Sequence, residues 1–170
     1  MQAFLDEIEE CVPALRRYAR ALTRDADRAD DLVQDCIERA IRKRGLWVPR
    51  GPLQAWLFRI LLNIYRNDLR HRRRHGGDQL PLDGLVAEPA VPAPQPGRIA
   101  LAEMARAVDE LPSEQREALL LVVLDGASYQ EAAGMLGIPT GTLMSRLGRA
   151  RAALRAMTGA SEEPRLRTVK

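Results

Sequence analysis

Cysteine is nearly absent. Cys11 and Cys36 are the only two in 170 residues, and with no Cys-x-x-Cys pair they read as buried thiols rather than a disulfide or a metal site. Histidine is as scarce: His71 and His75 stand four apart with no third ligand beside them, so no metal site is expected. No apolar run is long enough to cross a bilayer, and the opening MQAFLDEIEE is acidic and unlike a signal peptide. A cytoplasmic protein without membrane insertion is expected. Aromatic residues are 4% of the chain, whereas 46% hydrophobic content suffices for one or two small domains with modest cores. The aspartates between 25 and 35 have no histidine or lysine nearby to separate their proton affinities, so neither a catalytic residue nor a cofactor is expected.

One further absence points to function. Between Pro139 and Arg155 there is no acidic residue, while Arg146, Arg149, Arg151 and Arg155 all fall there. The stretch before it, SYQEAAGMLG, opens with Ser128 and, three residues on, Glu131. In this capping-box pattern hydroxyl and carboxylate each satisfy a backbone N–H at a helix start. Ala132, Ala133 and Leu136 supply an apolar face, and Gly137 is suited to the left-handed conformation that ends a helix. Pro139 suits the first position of a second helix, whose buried side carries Thr142, Leu143, Leu147, Ala150 and Leu154 at spacings of three to four. Ser145, Arg146 and Arg149 lie opposite. Two short helices, a tight turn and an arginine face are a helix-turn-helix pattern suited to phosphates and base edges. An ordinary helical hairpin with a solvated arginine face is the alternative.

The formal charge is only +3, but it is unevenly spread: residues 1–75 carry 16 basic against 11 acidic side chains, and 76–97 carry none against 3. Periodicity predicts a helix over about Phe4 to Glu10 and a second one opened by Pro13 and running to Leu22. The next helix has Ala29, Leu32, Val33, Cys36, Ile37, Ala40 and Ile41 inside and Asp30, Asp31, Gln34, Asp35 and Glu38 outside. GLWVPRGP, at 45–52, reads as a loop of which Leu46, Trp47 and Val48 pack down. A long helix follows from Leu53 to about His75, its core side Trp56, Leu57, Ile60, Leu61, Ile64 and Tyr65. Arg59, Asn63, Arg66, Asn67 and Arg70 point elsewhere, and six arginines against Asp68 alone lie between 59 and 75, a second candidate nucleic-acid surface. Five of the eleven prolines fall between Pro81 and Pro96, so 76–97 reads as a flexible linker that holds no fixed angle. Beyond it, Arg98–Leu111 and Ser113–Leu124 read as helices, with Leu119, Leu120, Val122, Val123 and Leu124 packed beneath the helix-turn-helix. The end of the chain, 157–170, reads as a disordered tail. The fold class expected is all-α: two small helical domains, 1–75 and 98–156, joined by a proline-rich linker.

Four blocks in this order, DADRADDLVQD, AWLFRILLN, LPSEQREALLL and SYQEAAGMLGIPTGTLMSRLGRAR, resemble a bacterial RNA polymerase sigma factor of the extracytoplasmic-function (ECF) type. The resemblance covers nearly everything outside the linker and both ends. It implies a non-enzymatic initiation factor whose partners are core RNA polymerase and promoter DNA, commonly restrained by an anti-sigma factor. It implies that Asp31, Gln34 and Asp35 face the clamp helices of the largest polymerase subunit. Trp47, Arg50, Asn63, Arg66, Asn67 and Arg70 would serve the minus-ten element, with residues 47–50 in the loop that forms part of a pocket for an unstacked base. Thr140, Thr142, Ser145, Arg146 and Arg149 would read the minus-thirty-five element, while the first helices of that domain contact the flap of the other large subunit. Met144 and Gly148 depart from the family pattern, where a basic and a larger residue are common. Two other classes fit parts of the chain. A repressor or activator needs neither 55–70 nor the acidic helix, and a nuclease needs a base or metal that the aspartates lack.

Overall fold

Local chemistry punctuates the chain. The computed structural model of the protein describes residues 2–47, 51–74 and 96–159. Its helices are α1 (Gln2–Thr23), α2 (Ala26–Arg42), α3 (Leu53–Arg74), α4 (Pro96–Glu110), α5 (Ser113–Leu124), α6 (Tyr129–Leu136) and α7 (Thr140–Thr158), with a 3-10 turn at Arg44–Leu46. No strand occurs among the described residues, in agreement with the all-α expectation. Asp25 caps α2 by accepting from the Arg28 amide at 3.1 Å. At α6 the capping box is complete: the Ser128 hydroxyl accepts from the Glu131 amide, and the Glu131 carboxylate accepts from the Ser128 amide. Hydrogen bonding by Ser128, through its side chain and then its backbone N–H, holds the Glu131 carboxyl below its ordinary range. Ser128→Ala is therefore expected to cost about 1 kcal/mol of stability, read as a lowered midpoint in thermal denaturation; an unchanged midpoint would remove the cap from the account.

Several expectations are corrected. Pro13 does not divide two helices but lies inside the single helix α1. An interior proline costs about 3 kcal/mol through a lost hydrogen bond and a clash. One continuous helix keeps Ile8, Leu15, Tyr18, Ala19 and Leu22 on a single buried stripe, which offsets that cost. Pro139 stands one place earlier than expected, at the N-cap of α7, with φ −62° and ψ 146°. Leu46 does not pack down: it is 72% exposed, and Trp47 does the packing, against Trp56. Val123 is also outside, at 66% exposure, whereas Leu121 is fully buried; α5 is apolar nearly all round, so its inner side cannot be read from periodicity. Met157 and Thr158 still belong to α7, which ends at Gly159 in the left-handed region. The rest of the expected tail, and of the linker all but Pro96 and Gly97, lie outside the described residues.

Helices α1–α3 form the first domain and α4–α7 the second, and their buried side chains make one continuous cluster. Within the first, Phe58 sets its ring edge-on to Tyr18 at 5.2 Å. Cys36 is buried and donates to the Leu57 carbonyl at 3.3 Å; burial pushes its thiol up to about 12, so it is packing rather than chemistry. Between the domains, α5 lies against α1 and α6 against α3. The Tyr18 hydroxyl donates to the Glu117 carbonyl at 3.0 Å, Gln54 Nε2 to the Asp125 carboxylate at 3.1 Å, and Arg59 to the Gly134 carbonyl at 2.7 Å.

Candidate nucleic-acid and polymerase interface

The helix-turn-helix presents its face as its sequence dictates, with one exception. Leu143, Leu147 and Ala150 are buried, Ser145 and Arg149 are exposed on the opposite side of α7, and Thr140 is exposed at its first turn. Arg149 lies back along its own helix, donating to the Ser145 hydroxyl at 3.3 Å, which holds the guanidinium over the same turn. No side chain caps α7, so the amides of its first turn remain available to a phosphate. Thr142 is half-buried. Arg146 departs from the expected open face: its side chain is only 13% exposed and pairs with Glu114 at 2.9 Å. Arg151 donates to the Tyr129 hydroxyl at 2.8 Å and so ties α7 to α6.

On α3, Asn63, Asn67 and Arg70 share an exposed stripe, and Arg70 donates to the Asn67 side-chain carbonyl at 2.7 Å. Trp47 packs half-buried on Trp56 at 5.5 Å, and Trp56 precedes Asn63 by two turns of α3, about 10 Å along the axis. Arg50 lies outside the described residues. Arg66, at the edge of the stripe, turns toward the second domain, and its Nε and Nη2 both reach Glu117 Oε2, at 3.1 and 2.7 Å. Burial works against the guanidinium's charge, but the hydrogen bonds and charge of Glu117 outweigh it and hold the Arg66 pKa above its usual value. The same burial, with Glu117 adding to it, drives the Tyr18 phenol well up.

Asp31, Gln34 and Asp35 are exposed on one face of α2, and Gln34 donates to Glu38 at 3.2 Å. Asp31 and Asp35 also border a cavity of about 220 Å³ between α2 and α3, where Arg28 and Arg72 lie. Arg28 pairs with Asp68 across it at 3.9 Å, and Arg72 pairs with the same carboxylate along α3 at 3.0 Å. No group of three or more His, Cys, Asp or Glu is arranged to hold a metal among the described residues.

Sequence reasoning missed Glu117, the one charged residue that is buried as a whole among the described residues, at 2% exposure. A signal was present: Glu117 precedes Leu120, Leu121 and Leu124 by three, four and seven positions, which places it on their stripe. Arg59 faces away from the core side as expected, and from that exposed position it reaches across to α6.

Residues 8–62 match the family described as the Sigma2 domain of PhyR, and residues 101–154 match Sigma-70, region 4. The chain is 44% identical over 153 residues to the ECF RNA polymerase sigma factor EcfG of Rhodopseudomonas palustris, a match covering 89% of this chain and 83% of that protein. The chain belongs to the ECF sigma factor family. Solved sigma factors share its fold. RpoE of Bartonella quintana, in complex with the anti-sigma factor NepR, has a TM-score of 0.74 and 35% identity, covering 95% of this chain and all of that one. CnrH, in complex with the cytosolic domain of CnrY, has a TM-score of 0.68 and 31% identity over 95% of this chain and 90% of that one. As a sigma factor the protein is a transcription initiation factor and not an enzyme, so its surfaces act by binding. No helix among the described residues is long and apolar enough to cross a membrane.

Proposed function

We propose that this sigma factor binds promoter DNA with two surfaces on separate domains, 1–75 and 98–156, linked by 76–97, and docks on core RNA polymerase through α2. Asp31, Gln34 and Asp35 offer polymerase an exposed acidic face, with Arg28 and Arg72 in the cavity beside it. Asn63, Asn67 and Arg70, with Arg66 beside them, take the minus-ten element. Trp47 and Arg50 flank the pocket for an unstacked base, and stacking or hydrogen bonding there offsets the few kcal/mol that unstacking costs. Thr140, Thr142, Ser145 and Arg149 read the minus-thirty-five element, and Arg146 stiffens that helix through Glu114. An anti-sigma factor is the expected restraint, as for the related RpoE. The cytoplasm, where polymerase and chromosome meet, is the place of action.

The observation that carries this reading is the joint presence, on one chain, of an uncapped arginine-bearing α7 and an amide-and-guanidinium stripe on α3. Run-off transcription with purified core polymerase on the gene's own upstream region tests it. Specific initiation dependent on the chain is expected; specific duplex binding without polymerase, and no initiation with an active core, would favour a free-standing regulator.

A further inference from the structure

One helix of the second domain already occupies an arginine at or beside each proposed DNA surface. Glu114 and Glu117 lie three apart on α5; the first holds Arg146 at 2.9 Å and the second holds Arg66 at 2.7 Å. The two pairs differ in kind. Glu114 is 67% exposed and its partner belongs to the same domain, so that pair survives any movement of one domain against the other. Glu117 is 2% exposed and its partner belongs to the other domain. Two guanidinium donors converge there on one carboxylate oxygen, which is the fork that Arg offers a phosphate oxygen or a guanine edge. While that contact is made, Arg66 has no donor on this edge left for DNA.

Distance points the same way. Elements centred near ten and thirty-five base pairs upstream lie about 25 pairs apart, roughly 85 Å of B-form DNA at about 3.4 Å per pair. A compact chain of this length has a radius of gyration of about 16 Å and is roughly 40 Å across. With α5 on α1 and α6 on α3, the two recognition surfaces cannot reach both elements together. The 21 residues between Arg74 and Pro96 span at most about 70–75 Å, enough for the domains to part.

We infer that the Arg66–Glu117 pair is an autoinhibitory latch: Glu117 stands in for promoter DNA on Arg66 and holds the domains closed until they separate. The inference rests on the assignment of Arg66 to the minus-ten surface. Its surroundings suit a contact that must release. The polar bridges beside it are Tyr18 to the Glu117 carbonyl, Gln54 to Asp125 and Arg24 to Asp109 at 2.9 Å, bonds that water can replace on opening, and they flank the apolar cluster that the two domains share. Arg116 donates to the Tyr65 hydroxyl at 3.0 Å, yet its buried Nε finds no partner among the described residues, so the closed form is incompletely satisfied.

The test compares three full-length proteins: wild type, Glu117→Gln, and the double variant Gln54→Ala/Arg24→Ala, which leaves the DNA surfaces and the buried pair intact. Small-angle scattering and binding to a labelled oligo-dT of about 20 nucleotides over a salt series are the readouts. Wild type is expected near 16 Å, and both variants above about 20 Å. Both are also expected to bind oligo-dT at least about fivefold tighter, with the log–log salt slope steeper by about 0.7 for one freed phosphate contact. The double variant loses a positive charge, so tighter binding by it cannot come from charge alone. A wild type already extended, variants as compact as wild type, or open variants with unchanged oligo-dT affinity would each overturn the latch. Run-off transcription by wild type reports separately on the underlying function.

Discussion

Phe58→Ala is expected to lower the free energy of unfolding by about 3–5 kcal/mol, the largest stability effect of any single substitution considered. The ring is completely buried and meets Tyr18 edge-on at 5.2 Å with 70° between planes, a geometry worth about 0.5–1.5 kcal/mol beyond the area it removes from water. Tyr18 is 1% exposed, and its hydroxyl reaches the Glu117 carbonyl of α5. Truncation thus opens a cavity where α3 supports α1 and where α1 in turn supports the second domain. Urea denaturation followed by circular dichroism should show a lower midpoint with an unchanged slope. Phe58→Leu, which keeps most of the volume, should cost less than about 1.5 kcal/mol. A loss below about 1 kcal/mol for the alanine variant would mean that this contact does not organise the core.

Arg149→Ala should weaken binding of the reconstituted holoenzyme to its promoter by about 1–3 kcal/mol, roughly 5- to 150-fold, if the guanidinium reads a base. The fold should not change, because Arg149 is exposed and bonds only within its own helix, to Ser145. Arg146→Ala is the informative contrast. Its guanidinium pairs with an exposed carboxylate, an arrangement worth about 0–1 kcal/mol, and it is largely withdrawn from the surface. Its effect on affinity should therefore be the smaller. Fluorescence anisotropy with labelled promoter duplex measures both; unchanged affinity and start-site selection for Arg149→Ala would remove it from the minus-thirty-five surface.

Both predictions depend on features of different legibility. The helix-turn-helix could be read almost residue by residue, because a capping box, a left-handed glycine and a three-to-four spacing all act within one or two turns of chain. Pro13 misled for the same reason: its local penalty is real, but burial of a stripe along the whole of α1 outweighs it. On α5, apolar residues on nearly every side left no period to read, so Val123, expected inside, lies outside, and the buried Leu121 was not picked out. The family, six of the seven described α-helices and the chemistry of the exposed stripes on α2, α3 and α7 were all determined by the amino-acid sequence itself. What only the tertiary structure decided is which of those side chains are free. Arg66 and Glu117 are 51 positions apart, and a pairing over that distance leaves no periodic trace in either helix. It comes about because α5 packs across α1 and α6 across α3, bringing a carboxylate on a buried stripe against a guanidinium at the edge of an exposed one.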